Sequence, residues 1–223
     1  MQISKDIIRQ IEKEARKYFI GASGCHDWTH IERTRNLALR IGKKEKADLQ
    51  ILEIAALLHD VGRKEEMKAK GKFCHAQRSA EIAEKFLRKL KINENDIKNI
   101  LHCIICHRYR NEHIPQTLEA KVLFDADKLD SIGAVGIGRD FLFAGSAGSN
   151  TMYTGNEKKI IKDSKAKDCS FTKEDSAIME YEYKLKDIKN KLLTKEGKKI
   201  GEERHRFMTE FFKRFWEEVL NNK

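Results

Sequence analysis

The sequence predicts an all-α fold: a single helical bundle, closed by C-terminal helices and interrupted by one long lid-like loop. Three observations lead there. Apolar residues recur at helical spacing through most of the 223 residues, no strand-like alternation of any length occurs, and Pro115 is the only proline. Lys, Glu, Leu, Ile and Ala abound, which are residues of good helix propensity. The length suits one sizeable core better than two small ones, so one domain over 1–223 is expected, with its core at about 20–145 and a helical extension at about 176–222.

The elements follow from periodicity and breaks. Ile7, Ile8, Ile11, Ala15 and Phe19 define a first helix over 5–19, and the glycines from Gly21 to Gly24 end it. From Trp28, the series Ile31, Thr34, Leu37, Ala38 and Ile41 defines a second amphipathic helix, with Asp27 placed to cap it and Gly42 to stop it. "DLQILEIAALLHDVG" is almost wholly apolar, hence a central third helix ending at Gly62. Further helices are expected at 75–90, at 95–109 and from Leu118, with "YRNEHIPQT" as a loop. Between Gly133 and Asp175 a helix should give way to a mobile lid of about 25 residues over 146–175. Helix resumes in "SAIMEYEYKLKDIKNKLL". After a break at "TKEGKK" a last helix should carry Phe207, Phe211, Phe215 and Val219 along one face.

Composition narrows the function classes. Residues are 40% apolar and 36% charged, and no window holds the roughly 20 apolar residues of a membrane span. Charges interrupt the apolar positions of the N-terminal stretch, so no secretory signal is read and a cytoplasmic protein is expected. The five cysteines, Cys25, Cys74, Cys103, Cys106 and Cys169, lack the paired spacing of a disulfide framework and read as thiols. A net charge of +10 suits anionic partners such as nucleotides or phosphate esters, although a lysine-rich genome produces the same number.

Three short stretches carry chemistry. "HDWTH" places His26 and His30 four residues apart around Asp27, and a second "HD", His59-Asp60, falls near the end of the most apolar helix. Ionisable side chains are costly to bury there unless paired or bound to a metal. Adjacent residues point about 100° apart on a helix, so both reach one ion only from a helix end, which the stop at Gly62 supplies. "LFDADKLDSIGAVG" then puts Asp125, Asp127 and Asp130 in one apolar stretch, more carboxylates than capping requires. Two imidazoles with two carboxylates suit Mn²⁺, Fe²⁺, Co²⁺, Ni²⁺ or Zn²⁺. An ion in such a site acidifies water and polarises a phosphoryl group, which is hydrolytic chemistry.

The order His30, His59-Asp60, Asp127, with "HIERTRNLALRIG", "EIAALLHDVG" and "DADKLDSIGAVGIGR", resembles the HD superfamily of metal-dependent phosphohydrolases. It is most similar to small stand-alone bacterial and archaeal HD proteins, over about residues 20–145, and the late "GEERHRFMTEFFKRFWEE" is similar to their last helix. The resemblance implies an all-helical domain in which His30, His59, Asp60 and Asp127 bind a divalent metal (Mn, Co, Ni, Fe, Zn or Mg). It also implies that His107 lies in the pocket, as a substrate or leaving-group contact or as a ligand of a second ion.

The remaining polar groups have two readings each. His26 either backs the ligands or touches substrate, and Asp27 either caps its helix or orients an imidazole. Arg33, one turn after His30, meets a phosphate or forms a surface ion pair. Of Arg63, Lys64 and Glu65, one neutralises phosphate charge, and Glu65 orients or deprotonates the attacking water; Lys64, Glu65 and Asp60 are the catalytic candidates. Lys128 is a further phosphate candidate, and Asp130 an equally good structural acceptor. "HCIICH" offers His102, Cys103, Cys106 and His107, but one CxxC in an apolar helix lacks the second ligand pair of a zinc site. His75 and His113 stay unassigned.

The function expected is hydrolysis of a nucleotide or related phosphorylated small molecule, with triphosphate to monophosphate plus pyrophosphate as one form. A 5′-nucleotidase, a phosphodiesterase and a non-catalytic nucleic-acid-binding or regulatory module are the alternatives. The partners expected are that substrate and, as an option, a second copy of the chain as a homodimer; a membrane and nucleic acid are not.

Overall fold

A computed structural model describes residues 3–22, 25–69, 72–108, 113–146, 148–149, 151–163 and 176–221. Helices dominate and no strand occurs among the described residues, so the all-α expectation holds. No helix among them is long and apolar enough to cross a membrane. The chain divides into two compact units, one running to Asp127 and including Leu193–Gly197, the other formed by Lys128–Leu192 and the residues from Lys198 on.

The first unit is built around α3 (Leu49–Leu58), which packs on α1 (Lys5–Tyr18), α2 (Trp28–Glu45), α5 (His75–Lys89) and α6 (Glu94–Cys106). Its residues Ile51, Leu52 and Ile54 to Leu58 are all buried, as an apolar run without a polar face requires. Asp48 caps it by accepting from the amides of Gln50 and Ile51 at 2.8 and 3.1 Å. Gly42, read as the end of α2, lies inside that helix instead. A Cβ there would stand 2.3 Å from Leu52 Cδ1, so the glycine serves the close approach of α2 to α3 rather than termination. The short α4 (Arg63–Lys68) follows the "HD" pair, and α7 (Leu118–Asp130) brings Asp125 and Asp127 into the unit.

Asp125 explains an error in the reading of "TKEGKK". Its carboxylate accepts from the amides of Leu193 and Thr194 at 2.8 and 2.7 Å and from the Thr194 hydroxyl at 2.6 Å. Thr194 in turn accepts from the Gly197 amide at 3.0 Å, which caps the start of α11 (Lys195–Val219). The supposed break is therefore the first turn of the last helix.

The second unit holds α8 (Gly133–Ser146), α9 (Glu157–Asp163), α10 (Ala177–Tyr183), a 3₁₀ segment Leu185–Lys191 and most of α11. A buried ion pair, Arg139 to Asp130 at 2.8 Å, ties α8 to the end of α7, and Arg204 donates to the Leu129 carbonyl. The face that α11 buries is Met208 with Phe212, the latter stacked on Tyr181 at 4.1 Å between ring centres. Phe207, on the face read from the sequence, is 50% exposed. A helical row advances about 100° per residue, and here Met208, not its neighbour, meets the unit's interior. The expected lid contains α9, whose first residue Glu157 accepts from the amides of Thr154 and Gly155 and closes its own N-terminal turn. Residues 147, 150 and 164–175 of that stretch, with Cys169, lie outside the described residues.

Candidate metal centre

The site grows from helix ends in the first unit. Asp27 is the N-cap of α2, its carboxylate accepting from the His30 amide at 3.3 Å, so His30 occupies the first turn and is fully buried. His59 is the C-cap of α3 and His107 the C-cap of α6. Each donates its Nδ1 hydrogen to the carbonyl three residues back, His59 to Ala56 at 2.8 Å and His107 to Ile104 at 2.6 Å. That bond fixes the tautomer and leaves Nε2 bare. Past His59, Gly62 lets the chain approach α5: a Cβ would stand 2.9 Å from the His75 carbonyl and from the Ser79 amide, and the Gly62 amide donates to Ser79 Oγ at 2.9 Å. This approach sets Asp60 beside His75.

His59 Nε2 then faces His30 Nε2 at 3.3 Å, and Asp127 Oδ1 lies 3.4 Å from the latter and 3.9 Å from the former. Asp60 turns its two oxygens to different partners. Oδ2 is 3.8 Å from His30 Nε2 and 3.6 Å from His26 Nδ1, while Oδ1 is 3.1 Å from His75 Nε2 and 3.4 Å from His107 Nε2. Among the described residues, three groups of ligand atoms within 4.8 Å of one another result: His30, His59 and Asp127; His26, His30 and Asp60; Asp60, His75 and His107. The Nε2 nitrogens of His59 and His107 and the carboxylate oxygens of Asp60 and Asp127 are acceptors brought close together, an arrangement that a divalent cation satisfies. The donor set therefore fits a divalent metal ion.

The imidazoles of this buried cluster do not all shift in the same direction. Burial pushes His59 down to about 4 and His26 down to about 3. Burial also acts to raise Asp60, but His59, His75, His107 and His26 around it outweigh that and hold it well below the usual carboxylate range. For His75 burial lowers the value, yet Asp60 and Glu66 together raise it above the usual one.

The structure gathers His26, His30, His59, Asp60, Arg63, His107 and Asp127, but not every residue read from sequence. Lys64 donates to the Ile20 carbonyl at 2.6 Å, and Glu65 pairs with Arg78 at 2.6 Å near the surface, so both expected catalysts are engaged elsewhere. Adjacent positions on α4 point in different directions, and it is the next residue, Glu66, that turns inward. Arg33 bonds Thr29 at 2.9 Å on the exposed side of α2, and Lys128 is half-buried one position after Asp127. Asp130 is the structural acceptor of Arg139. Three members were missed: His75, Glu66 and Arg108. Neither spacing nor type marks them, because His75 reaches Asp60 only through the turn at Gly62. The metal-capable groups among the described residues include no cysteine, and burial pushes the Cys103 thiol far above its ordinary value and Cys106 up to about 11. The "HCIICH" run is core, with His102 Nε2 accepting from the Gln116 amide at 3.0 Å.

An all-helical frame with His, His-Asp and Asp converging from three helices is that of an HD-superfamily hydrolase. The HD domain model matches residues 27–132. The Bacillus subtilis protein YpgQ is 31% identical over 214 residues, 94% of this chain and 92% of its own. The chain belongs to the HD-domain family. The crystal structure of Bacillus subtilis YpgQ in complex with ADP matches with a TM-score of 0.71 at 30% identity, covering 95% of this chain and 97% of that one. An HD-superfamily hydrolase from Bacillus thuringiensis matches with a TM-score of 0.70 at 27% identity, covering 96% and 97%.

Proposed function

We propose that the protein is a metal-dependent phosphohydrolase acting on a nucleotide, with conversion of a nucleoside triphosphate to monophosphate and pyrophosphate as its preferred reaction. The observation that carries this reading is the convergence of imidazole nitrogens from His26, His30, His75 and His107 on the Asp60 carboxylate, next to the half-buried Arg63. Arg63 Nε is buried without a hydrogen-bond partner, while its NH1 and NH2 reach Glu66 and His26 at 2.9 and 3.2 Å. A donor left over beside a metal-type cluster is what a phosphate oxygen would take up. The YpgQ structure in complex with ADP supports a nucleotide as the ligand.

A divalent cation bound by His30, His59, Asp60 and Asp127, Mn²⁺ by preference, supplies acidification of water and neutralisation of phosphoryl charge. The chain's own groups do the rest. Asp60, held ionised by the histidines around it, keeps acceptor oxygens toward the reacting water. Arg63 neutralises charge developing on phosphate, and His26 and His107 face the substrate. Free thiols at Cys25, Cys74, Cys103 and Cys106 agree with a cytoplasmic setting.

The test is a panel of nucleoside mono-, di-, tri- and cyclic phosphates with Mn²⁺, Mg²⁺, Co²⁺, Ni²⁺ or no metal, with orthophosphate and pyrophosphate measured separately. Pyrophosphate from triphosphates is the expected result. Orthophosphate from monophosphates would make the protein a nucleotidase instead. Silence with every metal, joined to salt-dependent binding of generic oligonucleotide, would replace hydrolysis with a binding module.

A further inference from the structure

Glu66 is buried and has no part in the ligand set, yet its two oxygens hold two different arginines. Oε2 accepts from Arg63 NH1 at 2.9 Å and Oε1 from Arg108 NH1 at 2.5 Å. Arg63 opens α4 and Arg108 follows His107 at the end of α6, so two separate elements bring guanidinium groups to one carboxylate. Both NH1 groups lie beside His75 Nδ1, at 2.9 and 3.3 Å, and Nε2 of that ring is 3.1 Å from Asp60 Oδ1. The pair thus stands one imidazole away from the carboxylate on which the cluster converges. A guanidinium is charged at every working pH, so a single carboxylate between two of them leaves one positive charge that Glu66 does not offset. The contacts of Arg108 to Glu66, Cys74 and His75 all run through NH1, and 21% of its side chain is open to solvent. Its other two-donor edge, Nε with NH2, meets no acceptor among the described residues.

We infer that Arg108 is a second phosphate-binding residue, held beside Arg63 by Glu66, and that its Nε–NH2 edge takes the phosphate next in line after the one at Arg63. The two oxygens of one carboxylate set the guanidinium groups side by side. Successive phosphates of a polyphosphate are joined through a single bridging oxygen, so neighbouring cations match neighbouring phosphates. A planar two-donor edge meets two oxygens of one phosphate at once, which the point charge of an ammonium does not reproduce. A ligand with one phosphate leaves Arg108 nothing to hold, whereas a di- or triphosphate engages it, so Arg108 determines specificity for the length of the phosphate chain. The selection among nucleotides rests on the phosphohydrolase reading above; the binding of a polyphosphate by the two arginines does not.

Calorimetric titration of the full chain with Mn²⁺ present, using inorganic tripolyphosphate and orthophosphate as probes, reads the pair without turnover. Wild type should bind tripolyphosphate the more tightly. Arg108→Gln removes the charged fork and should weaken tripolyphosphate by about 10–100-fold, the loss expected for charge-assisted hydrogen bonds, but orthophosphate by less than about threefold. Arg108→Lys keeps the charge and guards against a folding defect in the amide variant. It should leave orthophosphate unchanged and still weaken tripolyphosphate by about 3–10-fold. Equal losses for both probes in Arg108→Gln would reduce the residue to general charge attraction, and tripolyphosphate binding unchanged in both variants would remove it from the site; either result overturns the inference. Wild-type hydrolysis of a nucleoside triphosphate, with the same kcat/KM in Arg108→Gln, would also overturn it while the hydrolase reading stands. Wild type silent on the whole phosphate panel, with tripolyphosphate binding still dependent on Arg108, would sink the hydrolase reading and leave the arginine pair as a polyphosphate-binding site.

Discussion

Asp60 Oδ1 stands 3.1 Å from His75 Nε2, while the other oxygen of the same carboxylate is the one that approaches His30, at 3.8 Å. Asp60 is thus the residue on which two groups of ligand atoms meet, and it is 4% exposed. Asp60→Asn keeps the volume but removes the charge that offsets four surrounding imidazoles. Metal content of the purified protein should fall to background and hydrolysis by about 10³-fold or more, as the loss of several kcal/mol of transition-state stabilisation implies. His59→Ala should do the same. Elemental analysis and phosphate release check both, and full activity with unchanged metal in either variant would refute the site.

Acid should protonate Glu66 later than an ordinary carboxylate, at a cost to the fold. Burial acts to raise its carboxyl, but the hydrogen bond and charge of His75, with Arg108 and Arg63, hold it down at about 2 against an ordinary 4.5. The native state then binds fewer protons than the unfolded chain between these values, so the stability it contributes is complete above 4.5 and is lost as pH falls toward 2. Thermal unfolding followed at several pH values should show wild type well above Glu66→Gln at neutral pH, with the gap closing below about pH 4.5. A gap that stays constant down to the acid limit would mean that the carboxylate's charge contributes nothing.

Asp27 links helix capping to the site, since the amide it holds belongs to His30. Asp27→Ala should cost about 1 kcal/mol, or roughly 2–4 °C in Tm for a chain of this size. Calorimetry checks the magnitude. An unchanged Tm would show that the first turn of α2 is held by packing alone.

What the sequence discloses is local. Asp27, the apolar run of α3 and the ends at His59 and His107 are legible because cap, periodicity and stop lie within a few residues of one another. Asp125 is not, since the Leu193 and Thr194 amides it serves are 68 and 69 positions away, and its presence turns "TKEGKK" from a break into a helix start. Glu65 and Glu66 are alike in type and adjacent, and only the rotation of α4 decides that Glu66 is buried and Glu65 meets Arg78. His75 lies 15 residues past Asp60, beyond α4, and no motif announces the close approach at Gly62 that joins them.

Thiol chemistry offers an independent check on the reading of the cysteines. Cys74 is half-buried at the N-cap of α5. Burial acts to raise its thiol, but the amides of Gln77 and Ala76 and the Arg108 guanidinium 3.9 Å away lower it below the ordinary value. Cys103 is fully buried and pushed far above the ordinary thiol value, and Cys106 is buried and pushed up to about 11. The thiolate is the reactive form, so iodoacetamide added to the native protein at mildly alkaline pH should modify Cys74 well before Cys103 or Cys106. Peptide mass spectrometry over time reads the order. Cys103→Ala should leave the metal content where it was, because a small core thiol, not a zinc ligand, has been removed. Rapid native-state labelling of Cys103, or metal lost from that variant, would return "HCIICH" to the list of ligands.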